Sequence, residues 1–306
     1  MNWAALETIP WFFPTAALVF GLLVGSFLNV VIYRLPIMMQ RAWDAELQQW
    51  QAERDAKDGA SAEDPAPELK VFNLSKPAST CPQCQHRIRA WENIPIISYL
   101  VLRGRCSQCE ARISIRYPMV EALTGVLSLA VALRFGPGWE AVATIVFTWF
   151  LIAMSGIDID HQLLPDSLTL SLLWIGLVLS LLTQADASVL FIEPRDAIVG
   201  AVIGYGVLWL VYQAFLLATG KQGMGFGDFK LLAALGAWLG WEALPMIILL
   251  SAVAGTVWGV LMIALKKQQQ GQAMPFGPWL AIAGWLTLMF GQQISNWYLT
   301  TTGLAT

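Results

Sequence analysis

The stretch GMGFGDFKLLAALGAWLG, residues 223–240, decides how often this chain can cross a membrane. It surrounds one carboxylate, Asp228, with three alternating glycines and then continues from Leu231 without a charge until Glu242. A membrane-spanning helix needs about 20 apolar residues, and this run is shorter. Whether it counts as a span therefore determines the side of the membrane on which the following loops lie.

Composition places most of the chain in lipid. Of its 306 residues, 57% are hydrophobic and 13% are charged, whereas soluble domains carry about 25% charged residues. The mean hydropathy is +0.58. The sequence predicts an all-α polytopic membrane protein with about eight transmembrane helices, the sixth of them short. Their apolar runs lie near 11–33, 117–135, 139–157, 167–184, 196–218, 229–241, 243–265 and 276–298.

Basic residues fix the orientation of these spans. Twelve of the 18 lysines and arginines lie between Tyr33 and Tyr117, and positively charged loops stay in the cytoplasm. With eight spans, every basic residue except Arg134 and Arg195 falls on the cytoplasmic side and both termini lie outside, whereas seven spans would break this agreement. Residues 1–10 carry no basic residue, so we expect no cleavable signal peptide.

The large loop, 34–116, divides into three parts. Its first part places Trp43, Leu47 and Trp50 on one helical face, which predicts an amphipathic helix resting on the membrane or on a neighbour. Residues 59–67 have the composition of a linker, and a cysteine module follows. Topology explains the basic charge of the loop, so we expect no nucleic-acid partner. The predicted domains are a first transmembrane helix (1–33), this cytoplasmic loop (34–116) and a seven-helix membrane core (117–306).

Four cysteines form two C-x2-C pairs in the loop, at Cys81, Cys84, Cys106 and Cys109. Two such pairs can hold one tetrahedral zinc ion with four thiolates, as in a zinc ribbon. Two disulfides are the alternative, which a reducing cytoplasm disfavours. His86 could replace one thiolate, although four cysteines already complete a structural site. The predicted zinc has no open position for catalysis and would stabilise a loop that is poor in apolar residues.

Two aspartates lie at the cytoplasmic ends of predicted spans. Asp158 follows one long apolar run, and Asp228 precedes another. Acidic groups at membrane depth are costly and are usually functional. Two neighbouring carboxylates cannot both ionise easily, so one keeps a proton while the other acts as a base toward water. This is the chemistry of an aspartic protease, which needs neither a metal nor a covalent nucleophile.

The glycines around Asp228 have two interpretations. Gly223, Gly225 and Gly227 remove side chains beside the carboxylate, so a substrate backbone could come close, and the turn could adopt positive φ. Gly225 and Gly227 are the predicted points of substrate approach. The alternative is a flexible loop in which Asp228 caps the next helix.

Other acidic residues are assigned no chemistry. Asp166 follows Pro165 and precedes an apolar run, which is typical of a helix N-cap. Asp160 lies two residues beyond Asp158, so its side chain would point elsewhere on a helix. Glu121 lies near the same membrane face and could pair with a basic residue.

Six stretches complete the pattern, together with the cysteine pairs. They are GSFLNVVIYRLP (25–36), NIPIISYLVLRGRC (93–106), RYPMVEALTG (116–125), IDIDHQLLPD (157–166), GMGFGDFKLLAALGAWLG (223–240) and PFGPWL (275–280). Over nearly its whole length the chain resembles the bacterial type IV prepilin peptidases, membrane aspartic proteases with a G-x-G-D motif. In that family one catalytic aspartate lies seven residues before the proline of an L-P-D element, and the other ends G-x-G-D. These positions correspond to Asp158, with Pro165 as marker, and to Asp228. The long insertion at 38–70 is the one departure.

The resemblance implies an enzyme that cleaves the basic leader from prepilins and pseudopilins at the cytoplasmic face of the bacterial inner membrane. It also implies methylation of the new N-terminal residue with S-adenosylmethionine, whose binding residues stay unassigned. A polytopic transporter or a zinc-ribbon membrane adaptor is the alternative, because paired carboxylates also couple protons. Transport sites lie near the midplane, however, whereas both aspartates lie at one face. Membrane lipid surrounds the spans, and the oligomeric state is open.

Overall fold

Helices make up most of the regular structure. The computed structural model describes residues 9–57, 72–182, 191–265 and 274–302, so the predicted linker at 59–67 lies outside the described residues. Within these ranges two short 3-10 helices occur, at Ala90–Asn93 and Trp241–Ala243. The α-helices are α1 (Phe12–Lys57), α2 (Ile97–Val101), α3 (Arg116–Phe135), α4 (Trp139–His161), α5 (Asp166–Ser180), α6 (Pro194–Thr219), α7 (Phe226–Leu239), α8 (Leu244–Ala264) and α9 (Gly277–Thr302).

A helix lies at each of the eight predicted apolar runs, which confirms the all-α membrane fold. By length and composition, α1, α3, α4, α6 and α8 are long and apolar enough to cross a membrane, and α5 is a shorter apolar helix. α7 has 14 residues and is therefore about 21 Å long, against about 30 Å of hydrocarbon. The number of eight crossings stays a prediction.

α1 joins two elements that the sequence analysis treated separately. The first span and the amphipathic helix form one continuous helix of 46 residues, with Pro36 inside it. Trp43, Leu47 and Trp50 lie on this helix and are 52%, 60% and 77% exposed. The helix continues because residues 40–57 consist mostly of alanine, glutamine, glutamate, arginine and leucine, which are strong helix formers.

The chain folds as two compact units. One comprises residues 22–123, and the other comprises the residues up to Gly21 together with those from Thr124 onward. The limits of the units fall inside α1 and α3. The division into three domains at residues 33 and 116 stays a prediction.

Polar groups hold the unit of residues 22–123 together. Arg34 is 7% exposed, and its guanidinium donates a hydrogen bond to the carbonyl oxygen of Asn73 at 3.0 Å. The same guanidinium lies 5.6 Å from the centre of the Phe72 ring, and that of Arg41 lies 4.2 Å from it. These cation–π and hydrogen-bond contacts hold the segment after residue 71 against α1.

The other unit has an apolar core around Trp238. This side chain is 1% exposed, and its Nε1 donates to the carbonyl oxygen of Leu172 at 2.8 Å. The Phe147 ring packs 4.8 Å from it, centre to centre. Gly176 provides the room, because a Cβ there would lie 2.5 Å from Trp238 Cδ1. These contacts hold α4, α5 and α7 together.

The ends of α4 and α7 place the two aspartates. α4 stops at Gln162, which adopts a left-handed conformation with φ 52°. α6 stops at Gly220 with φ 68°, and α7 begins six residues later. Asp158 therefore lies in the last turn of α4, and Asp228 lies in the first turn of α7.

Candidate active site and metal centre

Asp158 is buried where α4 ends. The residue is 5% exposed, and its Oδ2 accepts a hydrogen bond from the backbone N–H of Gly277 at 3.0 Å. Gly277 is the first residue of α9. Burying a carboxylate without hydrogen bonds is costly, so this N–H is a partner that the carboxylate needs.

Asp228 is buried at the start of α7. It is 8% exposed and is the third residue of the helix, whose N-cap is Gly225 without a side-chain cap hydrogen bond. The alternative in which Asp228 is the N-cap is therefore wrong. Gly227, next to Asp228, packs against Leu164, which also contacts the Gly277 backbone that binds Asp158. The fold thus brings together the two acids that the sequence analysis paired.

Leu164, in the loop after α4, packs against the starts of α7 and α9. It is 5% exposed. A Cβ on Gly227 would lie 2.7 Å from Leu164 Cβ, and a Cβ on Gly277 would lie 3.1 Å from Leu164 Cδ1. One side chain therefore contacts the backbone next to Asp228 and the backbone that binds Asp158.

The glycines before α7 do not adopt positive φ, so that part of the prediction is wrong. Gly225 has φ −81°, and the described glycines with positive φ lie elsewhere in the chain. Gly227 is needed instead because Leu164 packs against it. A Cβ on Gly225 would meet no atom within 4 Å. This open space is compatible with the approach of a substrate backbone, which stays a prediction.

The predicted N-cap role of Asp166 is also wrong. Pro165 is the N-cap of α5, with φ −62° and ψ 132°, and Asp166 is the first helical residue. Its carboxylate instead pairs with Lys230 Nζ at 2.5 Å. The two residues are 64 positions apart, so no local pattern in the sequence predicts this pair. Asp160 is exposed, in keeping with its predicted divergence from Asp158.

Glu121 accepts a hydrogen bond from a backbone group, where a basic partner was considered from the sequence. The residue is 8% exposed, and its Oε2 accepts from the N–H of Ile96 at 2.8 Å. Ile96 has φ 60°, which is strained for a β-branched residue. Glu121 therefore holds a strained loop within the unit of residues 22–123.

The four cysteines form one cluster. Their Sγ atoms all lie within 4.8 Å of one another, with 3.7 Å between Cys81 and Cys109 and 3.9 Å between Cys84 and Cys106. A tetrahedral zinc ion with Zn–S bonds of about 2.3 Å places its sulfurs about 3.8 Å apart. All four cysteines are free, so the alternative with two disulfides does not hold here. The cluster has the donors and the spacing to bind one metal ion.

The two C-x2-C pairs lie in two separate backbone turns that have the same geometry. Gln85 donates its N–H to the carbonyl oxygen of Cys81 at 3.0 Å, and Glu110 donates to that of Cys106 at 3.1 Å. Both donors have φ 58°. The repeated turn presents the two thiols of each pair in one direction, as a shared metal ion requires.

His86 pairs with Glu92 and does not join the thiols. Its Nε2 lies 3.1 Å from Glu92 Oε2. Glu92 also accepts hydrogen bonds from the backbone N–H of Arg89 at 2.7 Å and from the Ser107 hydroxyl at 2.5 Å. These donors, the Arg89 N–H foremost, lower the pKa of Glu92 from its ordinary value to about 2. Glu92 thereby connects the first cysteine turn to the second.

Comparison with known proteins places this fold. Residues 19–135 match the family described as Bacterial Peptidase A24 N-terminal domain, and residues 145–260 match the Type IV leader peptidase family. A protein of Stutzerimonas stutzeri named prepilin leader peptidase/N-methyltransferase is 54% identical over 294 residues, which are 96% of each chain. The chain belongs to the type IV leader peptidase family.

Other relatives of this leader peptidase carry the same name. One from Pseudomonas aeruginosa is 51% identical over 298 residues, 97% of each chain. One from Aeromonas hydrophila is 50% identical over 292 residues, 95% of this chain and 96% of the relative. No solved structure matches the chain.

Gly277 and Leu164 are the residues of the candidate site whose place could not be predicted from the sequence. Both lie in stretches that carry the family resemblance, IDIDHQLLPD and PFGPWL. A glycine that precedes a proline at the start of an apolar run was a usable signal, because such a glycine often marks a close backbone approach. The partner of that approach, Asp158, follows only from how the helices pack.

Proposed function

We propose that this protein cleaves the basic leader from prepilins and pseudopilins by means of Asp158 and Asp228, and then methylates the new N-terminal residue. The observation that carries the proposal is that two buried carboxylates lie at the end of α4 and the start of α7, where Leu164 contacts both the backbone beside Asp228 and the backbone that binds Asp158. The proposal is supported by the names of the relatives, which combine a leader peptidase with an N-methyltransferase.

Cleavage by this pair proceeds through one water molecule. We propose that the two carboxylates share a proton, so that one is ionised and the other is protonated. The ionised member removes a proton from water as the water oxygen attacks the scissile carbonyl carbon, and the protonated member donates its proton to the carbonyl oxygen. The carbon–nitrogen bond then breaks, and the leaving amine takes up a proton from the pair. The opening at Gly225 is where we place the approaching substrate backbone.

We propose zinc as the metal of the cysteine cluster. Cys81, Cys84, Cys106 and Cys109 would hold the ion with four thiolates, which leaves no coordination position for substrate. Its chemistry is therefore structural. In the unit of residues 22–123 it would connect the two cysteine turns that Glu92 also connects.

We propose that the methyl donor is S-adenosylmethionine and that it binds in the large loop. A groove of about 470 Å³ that is open to solvent lies on this loop and is lined by residues 86–90. Arg87 and Arg89 line it, and a guanidinium can pair with the carboxylate of this cofactor. When bound, the cofactor supplies the methyl group that the new amine accepts.

The proposed orientation puts both termini in the periplasm and the loop in the cytoplasm, in the inner membrane of a bacterium. It is supported by the distribution of basic residues, all but Arg134 and Arg195 falling on one side when the short helix α7 is counted as a span. A prepilin keeps its basic leader in the cytoplasm and its apolar helix in the membrane. A carboxylate pair at the cytoplasmic ends of helices reaches the junction between these two parts.

The test uses the purified full chain in lipid, with two substrates in separate reactions. An intact prepilin-like peptide reports leader cleavage, and the trimmed peptide with a free amine reports methyl transfer. Wild type is expected to act on both. Asp228→Asn is expected to lose cleavage and still methylate the trimmed peptide. Full cleavage by Asp228→Asn would end the assignment of that residue, and loss of both reactions would argue for a single shared site.

A further inference from the structure

We propose that Gly277 is a positioning residue for peptide cleavage. Its backbone N–H holds one oxygen of Asp158, and its missing side chain leaves the room that this carboxylate occupies. The proposal rests on the proposed catalytic role of Asp158. It adds a third element, the start of α9, to the two elements that carry the aspartates.

The contact is direct and buried. The Gly277 N–H donates to Asp158 Oδ2 at 3.0 Å, and both residues are buried. A Cβ built on Gly277 would lie 2.7 Å from Asp158 Oδ2 and 3.3 Å from its Cγ. Real Cβ atoms do not come closer than 3.0 Å to other heavy atoms. Any side chain at position 277 therefore displaces either the carboxylate or the backbone that binds it.

The first turn of α9 offers this N–H and no other to the carboxylate. The first N–H groups of a helix have no acceptor within the helix. Pro278 has no N–H, and the N–H groups of Trp279 and Leu280 both donate to the carbonyl oxygen of Phe276, at 3.1 and 3.2 Å. Only the Gly277 N–H is directed to Asp158. Pro278 also restricts the backbone of the residue before it, which limits the directions that this N–H can take.

A carboxylate held at one oxygen presents the other in a fixed direction. With Oδ2 bound by Gly277, the proposal assigns Oδ1 of Asp158 to the proton and the water molecule shared with Asp228. Leu164 contacts both the Gly277 and the Gly227 backbones, so it keeps the two halves of the site at a fixed spacing. Reaction rates depend steeply on such geometry, and a misplacement of about 1 Å can cost about 100-fold.

The test compares two glycine-to-alanine changes in the same helix. Gly277→Ala places a methyl group 2.7 Å from Asp158 Oδ2, and the matched control Gly284→Ala places one 2.6 Å from Leu235 Cδ2. Both crowd a buried neighbour, but only the first meets the carboxylate. For Gly277→Ala we expect kcat for intact prepilin peptide to fall about 100-fold with little change in KM. Methylation of the trimmed peptide should stay at the wild-type rate, and the control should cleave normally.

A second pair of variants distinguishes crowding of the Asp158 carboxylate from crowding of Leu164. Gly277→Ala combined with Leu164→Ala removes crowding at Leu164 and leaves crowding at Asp158. We expect kcat of the double variant to stay about 100-fold below that of Leu164→Ala alone. Recovery would mean that the effect passes through Leu164 and would overturn the proposal. A wild-type kcat in Gly277→Ala would overturn it as well.

Pro278→Ala covers the case in which Gly277→Ala does not fold. It keeps the glycine and its room, releases the restriction on the direction of the Gly277 N–H, and adds a competing N–H to the first turn of α9. We expect a smaller fall in kcat, again with unchanged KM and methylation, and a wild-type kcat would overturn the proposal. Asp158→Asn distinguishes the two levels of inference. If it cleaves, the proposed function fails at Asp158, whereas if it is inactive and Gly277→Ala is normal, only the role of Gly277 fails.

Discussion

The four cysteines and the two aspartates are brought together in opposite ways. Each cysteine pair is contained in one short turn, closed by a backbone hydrogen bond between residues four positions apart, and the turn occurs twice. Asp158 and Asp228 lie on different helices and meet only because α4, α5, α7 and α9 pack against one another. The cysteine cluster is therefore a local property of the chain, and the aspartate pair is a property of the whole helical core.

This difference determines what damages each site. A cysteine cluster depends on its own four thiols and on the ion between them. An aspartate pair also depends on residues that touch neither carboxylate, such as Trp238 in the apolar core. Substitutions in the core should thus move the aspartates and leave the cysteines in place.

The largest expected effect is the loss of either aspartate. Asp158→Asn and Asp228→Asn remove the shared proton, so each should reduce cleavage of intact prepilin by about 1,000-fold or more. The double variant should be no worse than either single one, because the two residues act as a unit. Steady-state cleavage rates measure this. Additive losses would contradict the pairing.

Trp238→Ala should come next. It removes a buried ring that holds α4, α5 and α7 together, and such truncations cost about 3–5 kcal/mol of the free energy of unfolding. Thermal unfolding and cleavage should both suffer, while metal content stays unchanged. Trp174→Ala is the control, since that side chain is 63% exposed. Loss of metal from Trp238→Ala would contradict the independence of the two sites.

Cys81→Ser should have the opposite effect to Trp238→Ala: it should lose metal and leave the helical core intact. Removal of one of four thiolates should lower the zinc content from about one ion per chain to near zero. The unit of residues 22–123 should become sensitive to protease, while the helical circular dichroism of the membrane core is retained. Metal analysis and limited proteolysis measure these outcomes. Disulfides in place of metal in the native protein would contradict the prediction.

The smallest expected effect belongs to Asp166→Asn. The pair with Lys230 connects α5 to α7, but the Asp166 side chain is 59% exposed, and such ion pairs contribute about 0–1 kcal/mol. Cleavage should remain close to that of wild type. A loss as large as that of Asp158→Asn would place Asp166 among the catalytic groups.

The sequence allowed the local site to be predicted almost completely. C-x2-C spacing determines which thiols converge, because two residues between cysteines close one turn. The two aspartates could also be paired, from their positions at the ends of apolar runs. The N–H of Gly277 could not be assigned to Asp158, since the 119 residues between them leave no local pattern. Asp166 was misassigned for the same reason, as Lys230 reaches it from another helix.

Helix continuity was the other feature that local patterns did not determine. The sequence predicted a first span that ends at residue 33 and a separate amphipathic helix in the loop. α1 instead runs from Phe12 to Lys57, because strong helix formers follow and a proline in one turn does not end such a segment. The prediction of positive φ near Asp228 was wrong. Gly227 is required because Leu164 packs against it, and not because the turn needs a left-handed residue.

Because α1 is unbroken, the number of residues in it determines the direction in which the side chains at its far end point. At 1.5 Å and about 100° per residue, its 46 residues extend about 69 Å, and each residue lost between 41 and 57 turns everything beyond it by about 100°. Deleting five residues would rotate the end of the helix by about 140°, whereas deleting seven or eleven would rotate it by only about 20°. Changes of length that keep the face of Trp43, Leu47 and Trp50 in register therefore come in steps of seven or eleven residues.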